Sequence, residues 1–200
     1  ATTEACADAA AEASFAQAEP GAQGTAWEQP ETRFKAVDAS ATAGAQVADA
    51  AWARLRPALE QADAVVAGCG LGQGGVARGL TRRLIDCLCG HPKPAVLDAD
   101  ILNLLAKEES AKLPDAVVLT PHIGEAARLL RSSSAQVLGD LPGAARAIRR
   151  AYGGTVVLKS AASVLVGADG EAINPFGTAG MAKGGSGDTL AGVLGAMLAG

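Results

Sequence analysis

A chain of 200 residues that is 49% hydrophobic but only 3% aromatic has material for one domain with an aliphatic, alanine-filled core, and a domain of this size buries about 70% of the surface its unfolded chain exposes. The net charge is −4 and the longest basic runs are the pairs Arg82-Arg83 and Arg149-Arg150, both inside helical patterns, which excludes a nucleic-acid surface as partner. No apolar run reaches the ~20 residues that cross a bilayer, and no charged segment followed by an apolar one marks a signal peptide. The four cysteines, Cys6, Cys69, Cys87 and Cys89, form no C-x-x-C pair and no disulfide scaffold, so a reduced, cytoplasmic setting is expected.

In chain order, residues 4–19 are alanine-rich and helix-prone but poor in large apolar side chains. Residues 20–30 carry prolines and glycines as a linker does. Residues 1–35 are therefore expected to be an extension with no chemical role, and 36–200 the folded domain. The spacing of Val47, Trp52, Leu55 and Leu59 predicts a helix over 44–61. "DAVVAG" (63–68) is a short apolar run that stops at glycine, as a buried strand does. Helical spacing returns over 76–88 through Val76, Leu80, Leu84 and Leu88. Strands follow at 95–100 and 116–121 and helices at 101–107, 124–132 and 143–152. "TVVLK" (155–159) and "SVLVG" (163–167) are two further strands joined by a tight turn, and "TLAGVLGAMLA" closes the sequence as a helix. Strands alternating with helices give an α/β fold with a mostly parallel sheet covered on both faces.

"VVAGCGLGQGG" (65–75) contains Gly70-x-Gly72-x-x-Gly75 after a strand and at the start of a helix, with Asp98 ending the next strand. That pattern fits a dinucleotide fingerprint, a close-packed strand-to-helix turn, or a backbone surface that a flat ligand can approach. In an open parallel sheet ligands bind beyond the carboxyl ends of the strands, and the polar residues there are Asp98, Asp100, Thr120, His122, Glu125, Lys159 and Ser160. His122 either caps the helix that follows it or contacts a ligand. His122 and Glu125 are too few to make a zinc site alone.

"GGSGD" (184–188) leads directly into the closing helix. Glycines before a helix present free N–H groups and the positive end of the macrodipole, which suits phosphate. Lys183 precedes the glycines, so this is not a Walker A loop. Asp188 would repel a phosphate unless it has another task, and two are available: helix N-capping, or taking the proton from a hydroxyl that attacks phosphorus.

The loop resembles the signature of the ribokinase-like fold, a three-layer α/β/α architecture. Four stretches are similar, in order and spacing, to the ADP/ATP-dependent NAD(P)H-hydrate dehydratases: "DAVVAGCGLGQ", "VLDADILNLLA", "VLTPHIGEAARLL" and "NPFGTAGMAKGGSGDTLAGVLGAML". The resemblance covers roughly residues 60–200. His122 stands where sugar and vitamin kinases of the superfamily usually have asparagine. This likeness implies that Gly70, Gly72, His122 and Asp188 contact hydrated NAD(P)H. It implies that Lys159, Ser160, Ala161, Ala162 and Ser163 run along the adenine nucleotide together with Gly185, Ser186 and Gly187. It makes Asp188 the catalytic base and Glu125 an organiser of Mg²⁺. Cys69 departs from the family's proline and Thr178 from its common asparagine.

The implied reaction is a hydro-lyase repair. A hydroxyl that water has added to the nicotinamide ring is phosphorylated by ADP or ATP, and phosphate then leaves, restoring NADH or NADPH. With ADP, the donor expected by likeness to bacterial members, the by-products are AMP and phosphate. An NAD(P)H-hydrate epimerase is the implied functional partner, and a homo-oligomer is allowed. Residues 1–40 match nothing in the family's opening strand and glycine segment, so a partial domain with exposed apolar surface is expected. Rival readings are a small-molecule kinase of the same fold, a Rossmann dehydrogenase, which leaves Asp188 without a task, and an inactive fragment.

Overall fold

The computed structural model describes residues 41–107 and 112–200. The extension expected over residues 1–35 lies outside the described residues, as do residues 36–40. From there α1 (Ala41–Gln61) leads to β1 (Val65–Ala67), α2 (Gly75–Gly90), β2 (Ala95–Leu97), α3 (Asp100–Leu105) and β3 (Leu113–Leu119). Then come α4 (Ile123–Leu129), α5 (Ser134–Gly139), α6 (Leu141–Tyr152), β4 (Gly153–Leu158), β5 (Ser163–Gly167), β6 (Gly170–Asn174), a 3₁₀ turn at Ala179–Met181 and α7 (Ser186–Ala199).

The strands form one six-stranded sheet in the order β1-β2-β3-β4-β5-β6. Strands β1 to β4 pair in parallel, each return passing through helix, and β5 and β6 are added antiparallel. The architecture is thus the expected mostly parallel α/β sheet. Two elements were not foreseen. Helix α5 has only 6 residues, too few for apolar periodicity to show; its start is fixed by Ser133 and Gln136 in a reciprocal capping box. Strand β6, "GEAIN", has a single large apolar residue, Ile173, and it forms because a short turn folds it back on β5 with Gly167 opposite Gly170.

Because side chains alternate across a strand, each parallel strand sends residues to both faces. Ala95 and Leu97, Val117 and Leu119, Val156 and Leu158 join Ile101, Leu102, Ala126, Ala144 and Ile148 in the main core under α2, α3, α4 and α6. Helix α1 packs on α2 and sets Trp52 and Leu59 against the same core. On the strands, Val96, Val118 and Val157 point the other way, where α7 covers them with Ala191, Leu194 and Leu198. The second layer is thin. Val66 is 44% exposed, and Val193 and Met197 on α7 are 52% and 73% exposed. Apolar surface is therefore exposed on this face, and Phe176 and Met181, ahead of α7 in the chain, are exposed as well. Among the described residues no helix is long and apolar enough to cross a membrane.

Candidate active site

The carboxyl ends of β1 to β4 and the amino end of α7 meet along one edge of the sheet. At the end of β1 the chain turns through Gly68, whose φ is +122° and where a Cβ would lie 1.8 Å from the carbonyl oxygen of Asp98. Only glycine lets the β1 turn pass this close to the end of β2. Gly70 and Gly72 follow, also with positive φ and with open space where a side chain would stand. The Gly72 N–H donates to Asp100 Oδ2 at 2.9 Å, which ties this turn to the start of α3. The "GCGLG" stretch is therefore an exposed, anchored turn that a flat ligand can approach, as one of its sequence readings allowed.

At the end of β2, Asp98 is only 1% exposed and accepts from Lys159 Nζ at 2.7 Å. Lys159 lies past the end of β4, where its N–H donates to the Pro121 carbonyl at 2.8 Å and its backbone bridges His122. The turn after it is closed by Ser163 Oγ, which donates to the Ser160 carbonyl and accepts from the Ser160 N–H. Lys159, Ser160 and Ser163, expected along a nucleotide, thus line one short turn. The loop before the 3₁₀ turn lies on it, since a Cβ on Gly177 would stand 2.3 Å from the Ala161 carbonyl oxygen.

His122 is the N-cap of α4. Its Nδ1 accepts from the N–H groups of Gly124 at 2.9 Å and Glu125 at 3.3 Å. Glu125 Oε2 accepts from the His122 N–H at 2.9 Å, and Glu125 Oε1 lies 3.3 Å from His122 Nε2. The capping reading of His122 is therefore realised. The side chain still remains 53% exposed, while that of Glu125 is 6% exposed and folded back on the histidine.

Helix α7 opens at Gly185, which sits at the N-cap with φ +85° and supplies no side-chain cap. The sequence allowed Asp188 the N-cap position. The helix instead begins at Ser186, so Asp188 lies inside the first turn with its carboxylate free of that duty. Gly187 rests on the buried pair: a Cβ there would be 3.4 Å from Asp98 Oδ2 and 3.6 Å from Lys159 Nζ. The ligand atoms of Asp188, Asp98 and Cys69 lie within 4.8 Å of one another. Burial, then the hydrogen bond to Asp188 and its charge, then the charge of Asp98, push the Cys69 thiol up to about 11. The sulfur therefore stays protonated at neutral pH, neither a nucleophile nor an anion.

Asp188, Gly187 and Lys159 are thus brought together, with Gly70 next to Cys69 and with His122 paired to Lys159. Glu125 faces the same end of the sheet from behind His122. Sequence reasoning marked Asp98 as a polar strand end and as the acidic residue of a possible dinucleotide fingerprint, but gave it no task in the dehydratase reading. Burial and the partner 61 positions away are what single it out. An exposed helix N-terminus beside an ammonium and two carboxylates can bind a phosphate and accept a proton next to it.

Known proteins resemble this chain over most of its length. A sequence profile described as NAD(P)H-hydrate dehydratase matches residues 31–200. The ADP-dependent (S)-NAD(P)H-hydrate dehydratase of Neisseria meningitidis is 45% identical over 143 residues, 68% of this chain and 47% of that protein. A bifunctional NAD(P)H-hydrate repair enzyme of Escherichia coli is 42% identical over 145 residues, 72% of this chain and 27% of that protein. A ribokinase-like superfamily protein from Enterococcus faecalis superposes with a TM-score of 0.64 at 31% identity, covering 74% of this chain and 51% of the other. The ADP/ATP-dependent NAD(P)H-hydrate dehydratase of Bacillus subtilis, co-crystallised with ATP/Mg²⁺, superposes with a TM-score of 0.58 at 31% identity, covering 68% and 47%. The chain thus spans about half the length of the Neisseria relative, and less of the Escherichia one.

Proposed function

The chain belongs to the NAD(P)H-hydrate dehydratase family, and on that premise we propose that its sheet edge carries out the nucleotide-dependent dehydration of hydrated NADH or NADPH. The observation that carries this reading is the first turn of α7, with Asp188 free of capping and Gly187 seated against the Asp98–Lys159 pair. The Ser186 N–H donates to the Lys183 carbonyl, while those of Gly187 and Asp188 have no carbonyl of a preceding helical turn to bond and hold the terminal phosphate of ADP or ATP. Lys159, Ser160, Ala161, Ala162 and Ser163 run along the nucleotide beside Gly185 and Ser186. The open "GCGLG" turn, with Gly70 and Gly72, faces the hydrated ring, and the exposed edge of His122 contacts the same substrate.

Hydroxide is a poor leaving group and phosphate a good one. Asp188 takes the proton of the ring hydroxyl as its oxygen bonds to the terminal phosphorus, and AMP departs when ADP is the donor. The lone pair of the ring nitrogen then expels phosphate, the ring C–O bond breaks, and the dihydropyridine is restored after loss of a ring proton. The protein's own part is to place the groups and to stabilise charge at the phosphate.

Asp98 is already taken up by the Lys159 ammonium, so Mg²⁺, which keeps most of its contacts to water and substrate phosphates, would be held mainly by the phosphates of the nucleotide. When bound, the ion offsets the charge of the transferring phosphate. Glu125 would join it only by releasing His122. An epimerase acting on the same hydrated dinucleotides is the fitting functional partner.

The test is to incubate the protein with hydrated NADH, Mg²⁺ and ADP or ATP. Recovery of the NADH absorbance band, with one phosphate released per ring restored, supports the reading. A phosphorylated product that persists would replace it with a small-molecule kinase, and an unconsumed nucleotide would refute both.

A further inference from the structure

Asp98 is a carboxylate that the proposed reaction leaves unused, yet it is 1% exposed and lies at the centre of the site. Its partner reaches it from a distant part of the sheet. Strand β3 lies between β2 and β4, so Lys159 extends across the end of β3 to place Nζ 2.7 Å from Asp98 Oδ1. The Lys159 side chain is 20% exposed and that of Asp98 2%, so water screens the pair weakly. The next carboxylate in reach is Asp188, which has an oxygen within 4.8 Å of one on Asp98. Two carboxylates therefore compete for one ammonium beneath the first turn of α7.

We propose that Asp98 is a positioning residue that holds the Lys159 ammonium away from Asp188 while keeping it at the amino end of α7. The inference rests on the reading of Asp188 as the base. Gly187 is the structural link, because its α-carbon sits over both members of the pair and its successor is Asp188 itself. With Asp98 in place, Lys159 faces an arriving phosphate and Asp188 keeps its lone pairs for the substrate hydroxyl. Without the Asp98 charge, Lys159 turns to the nearest remaining carboxylate. A base paired to an ammonium is a poor proton acceptor.

Three variants test this: Asp98→Asn, Lys159→Met and the double variant. The readouts are turnover of hydrated NADH, calorimetric affinity for ADP with Mg²⁺, and thermal midpoint. Asp98→Asn should lower kcat by roughly tenfold or more with little change in ADP affinity. Lys159→Met should weaken ADP binding by roughly tenfold, the loss of one charge-assisted contact. Adding Lys159→Met to Asp98→Asn should then raise kcat above that of Asp98→Asn alone, because the competing ammonium is gone. A structural role for Asp98 predicts the opposite, losses that accumulate. A double variant no faster than Asp98→Asn, or an Asp98→Asn enzyme at near wild-type kcat, overturns the inference. Should the wild-type protein itself not turn over hydrated NADH, the proposed function fails. The positioning claim is then decided by the stability cycle and by ADP affinity. Midpoint losses that add, or a Lys159→Met variant that binds ADP undiminished, overturn it.

Discussion

The two faces of the sheet are built very differently. One carries helices α2 to α6 and a continuous core in which Leu97, Leu119 and Leu158 are 0% exposed. The other carries α7, whose buried Ala191 packs with Val96 and Val118 of the sheet, while Val66 and Met197 remain in solvent. Yet the thinly covered face holds the glycine loop before α7, Asp188 and the ends of the Asp98–Lys159 pair. Stability and chemistry are divided between the faces: the thick layer fixes where the strand ends lie, and the thin one places a helix terminus over them. Substitutions on the two faces should consequently separate into those that change unfolding and those that change turnover.

The largest separation is expected at Asp188. Asp188→Asn should lower kcat by roughly 10²–10⁴-fold, the range that general-base assistance supplies, at an almost unchanged thermal midpoint. A variant that turns over normally would remove the base from the thin face and break the comparison. On the opposite face Leu119→Ala, at a position 0% exposed, should destabilise by about 2–5 kcal/mol, the transfer loss plus the cavity left behind. Denaturant unfolding measures it, and a loss below about 1 kcal/mol would mean that the main core relaxes far more readily than close-packed interiors do.

Gly195→Ala probes the contact between α7 and the sheet, because a Cβ there would lie 2.3 Å from Val66 Cγ2. Overpacking costs about 1–3 kcal/mol and the gain in helix propensity returns up to about 1 kcal/mol. The expected result is a modest loss of stability with a larger loss of turnover, since shifting α7 moves Gly187 off the charge pair. Unchanged turnover would show that the helix can slide without disturbing its first turn.

His122→Ala should cost about 1 kcal/mol, the worth of an N-cap, and should raise the KM for hydrated NADH more than that for nucleotide. A stability loss with unaltered substrate kinetics would leave His122 as a cap alone. The smallest effect belongs to Met197→Ser. Its side chain is 73% exposed, so the change in unfolding free energy should stay within about 0.5 kcal/mol. A loss as large as that at Leu119 would mean that the thin face is covered in solution.

The sequence by itself determined the order of helices and parallel strands, because apolar runs that stop at glycine and apolar residues at helical spacing are local signals that burial enforces. It also located the glycine loop that opens α7, since glycines directly before a helical pattern are a local signal of its amino end. Boundaries were less legible. Strand β2 ends at Leu97 rather than Asp100, since Ala99 takes a positive φ of 54° and Asp100 begins α3. Short α5 and short β6 left no periodic trace, for they are held by a capping box and a tight turn. What only the tertiary structure decided is who meets whom at the site. Asp98 and Lys159 are 61 residues apart and joined across an intervening strand, and nothing local in either segment specifies that partner. The same holds for Asp188, which composition allowed as cap or base. Gly185 takes the cap because its left-handed φ lets the chain enter α7 one turn earlier, and this frees the carboxylate to stand beside Cys69 and Asp98.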